Sequence, residues 1–126
     1  DDTGLEVSSL NNEPGVYSAR YANYPINNYN NIKKLLYNLS KFSDKSARFR
    51  TVLCLIIDEN TFYFEGIVNG KICDKIIGEN GFGYDPIFIP NGFNKSFAEL
   101  SLKEKNSISH RSIAINKMLL FLKNNY

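Results

Sequence analysis

The sequence predicts a layered fold of the α/β (α+β) class. Three observations predict it: helix-periodic apolar residues at 27–40, a β-rich middle at 48–77, and a second helix-periodic segment at 101–123. The 126 residues suffice for one small core, and 43% of them are hydrophobic, as in ordinary globular proteins. Because no repeat or linker is visible, we expect residues 1–126 to form a single domain.

The first helix is predicted at residues 27–40. Asn27 or Asn28 can cap its start. One face carries its apolar residues, which are Ile32, Leu35, Leu36 and Leu39. Upstream of this helix, residues 5–7 form a short alternating segment, and residues 11–15 are a cluster of turn formers.

The strongest strand candidate covers residues 48–57. Its apolar run at 52–57 has no polar face, which predicts a central strand covered on both sides. Residues 58–60 turn the chain, and the alternating segment at 61–68 returns as a hairpin partner. Asn69-Gly70 is a typical two-residue hairpin turn, so residues 71–77 are predicted as a third strand.

Two helices are predicted near the C-terminus, after a short extended piece at 85–90 and a turn at Asn91-Gly92. Ser101 and Glu104 fit a capping box that starts a short helix. The last helix is predicted at 108–123, with Ser107 or Ser109 as its cap. Its predicted apolar face consists of Ile108, Ile115, Met118, Leu119 and Leu122.

Composition excludes several classes of protein. The net charge of +2 provides no strong attraction to nucleic acid or to a membrane surface. No apolar run approaches the roughly 20 residues that span a bilayer, and no signal peptide is visible. Cys54 and Cys73 lie in apolar runs without metal-site spacing, so we expect buried thiols in a reducing compartment, the cytoplasm.

The chain begins with the stretch DDTGL, which is typical of the end of a strand. We therefore expect the sequence to be part of a longer chain. Asp1 and Asp2 should point to opposite faces of that strand, so only one of them can face a given cleft. A strand-end Asp can hold Mg²⁺ or act as a general base toward water. Two solvated acids at a frayed terminus are the alternative.

The stretch GFGYDP at 81–86 places Phe82 between two glycines, followed by Tyr84 and Asp85. Glycine lets a flat ligand approach the backbone closely, and the Asp85 carboxylate can accept a hydrogen bond from a ligand N–H group. This pattern fits a slot for a planar polar ring such as a base. It equally fits a tight loop that leads into a strand, with Phe82 buried as a plug.

A donor-rich cluster follows, with Lys105 at the end of the short helix and Ser109, His110 and Arg111 at the start of the last one. The free N–H groups of a helix start would combine with these side chains to bind an anion or a carbonyl oxygen. A surface Arg beside a capping His is the alternative. His110 is the only histidine, so acid–base chemistry falls to it or to the aspartates.

Five blocks of sequence resemble the inosine triphosphate pyrophosphatases, the Ham1/RdgB-type nucleoside triphosphate pyrophosphohydrolases. In chain order these blocks are DDTGL (1–5), PGVYSARY (14–21), GFGYDPIF (81–88), SFAEL (96–100) and KNSISHR (105–111). The resemblance implies an elongated mixed β-sheet flanked by helices, two lobes with a central cleft, and a homodimer. It also implies Mg²⁺-dependent cleavage of ITP, dITP and XTP to the monophosphate and pyrophosphate. Such an enzyme would act on free nucleotides in the cytoplasm.

The resemblance also assigns roles to individual residues. It implies that Asp2 is the catalytic base and a metal ligand, that Asp1 is its neighbour in the metal site, and that Thr3 contacts phosphate or sugar. The implied contacts of the base come from a stacking Phe82 with Gly83 and Tyr84 beside it, from Asp85 as acceptor, and from Lys105, Ser109, His110 and Arg111 as readers of the carbonyl oxygens. Residues 14–21 belong to the cleft or to a dimer face.

The sequence departs from the family pattern at its start. The family's glycine/asparagine phosphate loop ending in Lys and a metal-binding Glu are not in these residues, so we expect an N-terminally incomplete domain. A catalytically inactive nucleotide-binding or dimerisation fragment is therefore the alternative function. A pyrophosphatase for pyrimidine or modified nucleotides is a third possibility.

Overall fold

A five-stranded antiparallel sheet carries the other elements. The structure, a computed structural model, describes residues 2–22 and 27–126. The strands are β1 (Asp2–Val7), β2 (Glu13–Gly15), β3 (Ser46–Ile57), β4 (Asn60–Ile72) and β5 (Phe88–Pro90), in the order β2-β1-β3-β4-β5. The α+β class is confirmed. The resemblance predicts a mixed sheet, whereas every strand pairing within the described residues is antiparallel.

The long β3–β4 hairpin is the centre of the sheet. Its pairing runs from Ser46 opposite Lys71 to Ile57 opposite Asn60. The predicted turn at 58–60 is confirmed, with Asp58 and Glu59 in the left-handed region at φ 48° and 69°. β1 pairs with β3 along its whole length, from Asp2 opposite Val52 to Val7 opposite Ala47. The predicted site strand is therefore fixed to the middle of the sheet.

The predicted hairpin turn at Asn69-Gly70 is wrong. Both residues lie inside β4, opposite Arg48 and Ala47 on β3, and the strand continues to Ile72. A Cβ atom at residue 70 would collide with the carbonyl oxygen of Ile89, so this glycine lets β5 approach β4 closely. The predicted strand at 71–77 is consequently absent beyond Ile72. Pairing with β3 outweighs the local turn preference of the dipeptide.

The prediction that β3 is covered on both sides is wrong near its end. Cys54 is exposed, and Ile56 is 68% exposed. The opposite face is covered, because Phe121 of the last helix packs against Phe62 and Phe64 of β4 with ring centroids 4.6 and 5.5 Å apart. The prediction of a buried Cys54 thiol fails for the same reason. Cys73 is half-buried, and burial raises the pKa of its thiol.

Three helices complete the fold: α1 (Asn28–Leu39), α2 (Leu102–Ile108) and α3 (His110–Asn125). The predicted caps are confirmed for all three. The Asn27 side chain accepts from the Asn30 N–H at 2.8 Å, and the Ser109 hydroxyl accepts from the Ser112 N–H at 3.2 Å. Ser101 and Glu104 form the reciprocal capping box, with distances of 3.1 and 3.0 Å.

The predicted apolar face of α3 is only partly correct. Leu119 is 53% exposed, and Ile108 ends α2 instead of belonging to α3. Ala114 is buried, and Phe121 makes the aromatic contacts with β4. The apolar residues of α3 are distributed around the whole helix, so the sequence alone did not specify which side faces the sheet. None of the described helices combines the length and apolar character needed to cross a membrane.

An aromatic cluster joins β3, β5 and α3 in the core. Phe49, Phe88 and Phe97 pack with ring centroids between 4.6 and 5.7 Å apart. The His110 imidazole stacks on Phe49 at 4.8 Å with an interplanar angle of 15°. Burial, reinforced by the charges of Arg111 and Lys105, lowers the pKa of His110 to about 4. The imidazole is therefore neutral at pH 7.

We expect His110 to make folding stability depend on pH between about 6.5 and 4. In this range the unfolded chain holds a proton that the folded chain does not, because the folded pKa of about 4 lies below the ordinary 6.5. The contribution is fully present above pH 6.5 and falls by about 3 kcal/mol as the pH drops toward 4. Urea unfolding at pH 7, 5 and 4 measures it.

His110→Phe is the control, since it keeps the ring stacking on Phe49 and cannot titrate. Protonation of carboxylates lowers the stability of both proteins in acid. The effect of His110 is therefore the difference between their losses in the free energy of unfolding. Equal losses from pH 7 to pH 4 in both proteins would show that His110 is not the source.

Candidate functional site

A cleft with a volume of about 200 Å³ brings most of the predicted site residues together. It lies between β1, the glycine-rich loop at 78–84 and the junction of α2 with α3; we refer to it as the main cleft. Leu5 and Phe49 contribute to its lining. The predicted residues that line it are Thr3, Phe82, Gly83, Tyr84, Asp85, Lys105, His110 and Arg111. Segments distant in sequence thus converge on one cavity.

The glycine-rich loop folds back on Asp85. The Asp85 carboxylate accepts from the Phe82 N–H at 3.1 Å, and the Asp85 N–H donates to the Phe82 carbonyl at 3.2 Å. These bonds hold the loop at the cleft while the Phe82 side chain stays 65% exposed. The interpretation of Phe82 as a buried plug is therefore wrong. An exposed aromatic face at the rim of the main cleft matches the predicted slot.

A buried ion pair forms the polar wall of the main cleft. Lys105 Nζ lies 2.5 Å from Asp85 Oδ2, and the two side chains are only 13% and 5% exposed. The same ammonium lies 4.8 Å from the centroid of the Phe82 ring. Sequence reasoning assigned Asp85 and Lys105 to the site separately and missed that they bind each other. The second carboxylate oxygen of Asp85 supplies an acceptor, and the remaining N–H groups of Lys105 supply donors beside it.

The start of α3 contributes a neutral imidazole to the cleft. His110 Nδ1 is buried and has no hydrogen-bond partner among the described residues. Because His110 is neutral at pH 7, the positive charges of the predicted donor-rich cluster come from Lys105 and Arg111. Ser109 caps α3 and lines a neighbouring cavity together with Phe82 and Arg111, but it does not line the main cleft.

Tyr84 has a contact that the sequence did not indicate. Its hydroxyl donates to the carbonyl of Ser18 at 2.6 Å, and burial raises its pKa well above the ordinary value. Ser18 and Ala19 line the main cleft, whereas Val16 and Tyr17 are 74% and 60% exposed. The block at 14–21 therefore divides between the cleft and the open surface.

The alternation of β1 separates Asp2 from Thr3. Thr3 lines the main cleft, and its hydroxyl lies 3.0 Å from that of the buried Thr51. Asp2 is exposed and lines a shallower groove with Glu6 and Arg50. The two clefts share Thr3 and Gly4, so they adjoin at the start of β1. Asp1 lies outside the described residues.

The groove offers Asp2 to a metal ion. Glu6 shares this groove, but its carboxylate is bound by Arg48 at 2.7 Å and lies 3.8 Å from Arg50. None of the ion pairs found in residues 2–22 and 27–126 involves Asp2. The same residues contain no group of three metal-ligating side chains. Mg²⁺ is often held by one or two carboxylates plus substrate phosphates, so an exposed Asp2 fits such an ion.

Sequence reasoning missed Phe49, Thr51 and Ser18 as residues that line or back the site. Phe49 and Thr51 lie in a β-rich run in which no local signal distinguishes them from other core residues. A serine within a block of turn formers and aromatics is similarly unremarkable. The contribution of Phe49 and Thr51 depends on pairings across the sheet, and that of Ser18 depends on hydrogen bonds to Leu5 and Tyr84; the sequence displays neither.

Comparisons with known proteins show which family the chain resembles. The Ham1 family pattern matches residues 1–121. The dITP/XTP pyrophosphatase of Christiangramia forsetii is 54% identical over 122 residues, 97% of this chain and 64% of that protein. The enzyme of the same name from Flavobacterium psychrophilum is 49% identical over 124 residues, 98% of this chain and 65% of that protein.

A solved structure, that of the Staphylococcus aureus Ham1 protein, superposes with a TM-score of 0.95 at 47% sequence identity, covering 99% of this chain and 66% of that one. The chain thus spans somewhat less than two thirds of the length of these relatives. The match extends over all five predicted blocks and the whole described sheet. The chain belongs to the Ham1 family.

Proposed function

We propose that this chain takes part in the hydrolysis of the non-canonical purine nucleoside triphosphates ITP, dITP and XTP to the monophosphate and pyrophosphate. The observation that carries the proposal is the buried Asp85–Lys105 pair beneath the exposed ring of Phe82. It offers an acceptor and a donor to the edge of a stacked base. The relatives named dITP/XTP pyrophosphatase support the same substrate class.

The base end of the site selects a 6-keto purine. Phe82 stacks on the ring, and Gly83 leaves room beside it. Asp85 accepts from the N1–H group, while Lys105 donates to the 6-oxo group. Adenine presents an acceptor and a donor in the reverse order, so it would leave the buried pair unmatched. Arg111 and the neutral His110 complete the wall of the cleft, and Tyr84 packs beside the base. Ser109 caps α3 and so holds His110 and Arg111 in place.

The phosphate end lies at the start of β1. Asp2 would hold Mg²⁺, with Asp1 as its neighbour in the metal site, and the bound ion would neutralise charge on the phosphates. Asp2 also takes the proton from the water whose attack breaks the P–O–P bridge between the α- and β-phosphates. Thr3, held by Thr51, contacts phosphate or sugar at the junction of the two clefts. Water and triphosphate are consumed, and monophosphate and pyrophosphate leave.

The wider setting is proposed on the same basis. One hydrophobic cluster joins residues of β1, α1, β3, β5 and the glycine-rich loop, which supports a single domain over residues 1–126. The net charge of +2 favours free nucleotides over nucleic acid. Family membership supports a homodimer that acts in the cytoplasm.

Incubation of the chain with Mg²⁺ and dITP should yield dIMP and pyrophosphate in equal amounts, resolved by anion-exchange chromatography. The rate with dATP should be far lower, because its base edge presents an acceptor and a donor in the reverse order to that needed by the Asp85–Lys105 pair. Rates with dUTP and dTTP test the pyrimidine alternative, since uracil and thymine present the same N–H and C=O groups on a smaller ring. Calorimetric titration with IMP measures binding separately. Release of orthophosphate alone, equal rates with dATP, or IMP binding without hydrolysis would each contradict the proposal.

Asp2→Asn should lower kcat for dITP by about 100-fold or more, because general-base catalysis contributes at least that much. IMP affinity should stay within about twofold, since Asp2 lies outside the main cleft. Glu6→Gln is the matched control: it removes a carboxylate from the same groove that is already bound to Arg48. Similar rates for the two variants would show that Asp2 is not the base.

Lys105→Met should reduce the preference for dITP over dATP by about 5- to 150-fold, the effect of about 1–3 kcal/mol for an unmatched buried polar group. Met has a similar length but loses the contacts of the Lys105 ammonium with the Phe82 and Phe97 rings, at 4.8 and 5.7 Å. The double variant Lys105→Met/Asp85→Asn avoids an unpaired buried charge, and Lys103→Met removes an exposed ammonium from the same helix as a control. An unchanged ratio of kcat/KM values in both Lys105 variants would refute this role.

A further inference from the structure

We propose that Ser18 and Tyr84 are positioning residues that fix the phosphate end of the site relative to its base end. The inference rests on the proposed function, because it concerns how one nucleotide reaches both ends. The two residues and the hydrogen bonds that join them to β1 and β2 are named the Ser18 strut. The sequence predicted a packing role for Tyr84 and placed Ser18 only within the block at 14–21.

Ser18 is bonded to three separate parts of the fold. Its hydroxyl accepts from the Leu5 N–H of β1 at 2.9 Å and donates to the Gly15 carbonyl of β2 at 2.6 Å. Its own carbonyl accepts from the Tyr84 hydroxyl at 2.6 Å, across a separation of 66 residues. Ser18 and Tyr84 are 9% and 5% exposed, so water competes poorly for these bonds.

The strut reaches β1 at the residue beside the proposed phosphate contacts. Leu5 follows Thr3 by two positions on the strand. Between them, Gly4 has no room for a side chain, since a Cβ atom there would lie 2.5 Å from the Gly15 carbonyl oxygen and 3.5 Å from the Ser18 hydroxyl. The backbone carrying Asp2 and Thr3 is therefore held directly against the segment that contains Ser18.

The other end of the strut reaches the glycine-rich loop. Tyr84 immediately precedes Asp85, whose carboxylate binds both Lys105 and the Phe82 N–H. Burial keeps the Tyr84 phenol protonated, so it remains a hydrogen-bond donor at neutral pH. Asp85 thus joins both the loop and α2 to Tyr84.

This arrangement predicts a specific kinetic signature. The base contacts made by Phe82, Asp85 and Lys105 lie on the loop and on α2, and those of His110 and Arg111 lie at the start of α3, whereas the metal and phosphate contacts lie on β1. Loosening the strut leaves the base contacts intact among themselves but changes their distance from Asp2. A misplacement of about 1 Å at the reacting atoms can cost about 100-fold in rate. Loss of the strut should therefore lower kcat while KM stays nearly unchanged.

The test compares Tyr84→Phe with Tyr21→Phe. Both changes remove one buried tyrosine hydroxyl; that of Tyr21 bonds Glu13 and Asn38 at 3.2 and 2.9 Å and lies outside the main cleft. With dITP as substrate, Tyr84→Phe should lower kcat by about 10-fold or more with KM within about twofold. Tyr21→Phe should change neither kcat nor KM, even if it lowers Tm by as much as Tyr84→Phe does.

Ser18→Ala provides an independent variant of the same strut. It removes the hydroxyl bonded to Leu5 and Gly15 and keeps the carbonyl that receives Tyr84. Its kcat should fall with little change in KM, and the double variant Ser18→Ala/Tyr84→Phe should lose less than the product of the two single effects, because both interrupt one connection. Full multiplicativity, or a rise in KM at unchanged kcat, would overturn the inference.

Hydrogen exchange of the nucleotide-free chain separates this inference from the proposed function. Tyr84→Phe should speed exchange at the Leu5 amide as well as at Phe82 and Asp85, since the strut transmits the change to β1. Acceleration confined to the loop would overturn the strut. If the unmodified chain does not hydrolyse dITP but the Leu5 amide responds, the strut stands and the proposed function fails.

Discussion

Asp85 places a carboxylate among buried side chains, and such a charge is costly unless it is paired where it lies. Lys105 supplies the pairing from α2 with Nζ 2.5 Å away, and the Phe82 N–H adds a second bond at 3.1 Å. These contacts fix the glycine-rich loop to the α2–α3 junction. The position of the exposed Phe82 ring and the polar part of the wall of the main cleft follow from this one pair.

His110 shows how the surroundings of that pair decide a residue's chemistry. At a helix start beside Arg111 and Lys105, and stacked on Phe49, its imidazole is both desolvated and close to positive charge. Both effects disfavour a proton. A histidine that the sequence presents as a cationic donor is therefore a neutral member of an aromatic core, and the positive charge at the cleft is left to Lys105 and Arg111.

The start of β1 determines how a ligand must lie. Because side chains alternate along a strand, Thr3 faces the main cleft while Asp2 faces the adjoining groove. The two clefts adjoin at Thr3 and Gly4, so a molecule that uses both would pass this point. Ser18 is bonded next to this point, and Tyr84 connects it to the base end. The distance between the two ends is thus set by hydrogen bonds between segments that are far apart in sequence.

The sequence by itself determined what depends on neighbours along the chain. The Asn27, Ser101 and Ser109 caps and the β3–β4 turn were predicted correctly because their hydrogen bonds close within a few residues. The motif blocks indicated the residues of one cleft. Only the tertiary structure decided that Asn69-Gly70 continues a strand, that Cys54 and Leu119 are exposed, and that Asp85 binds Lys105. Each of these depends on which surface packs against which, and local preferences are too weak to specify that choice.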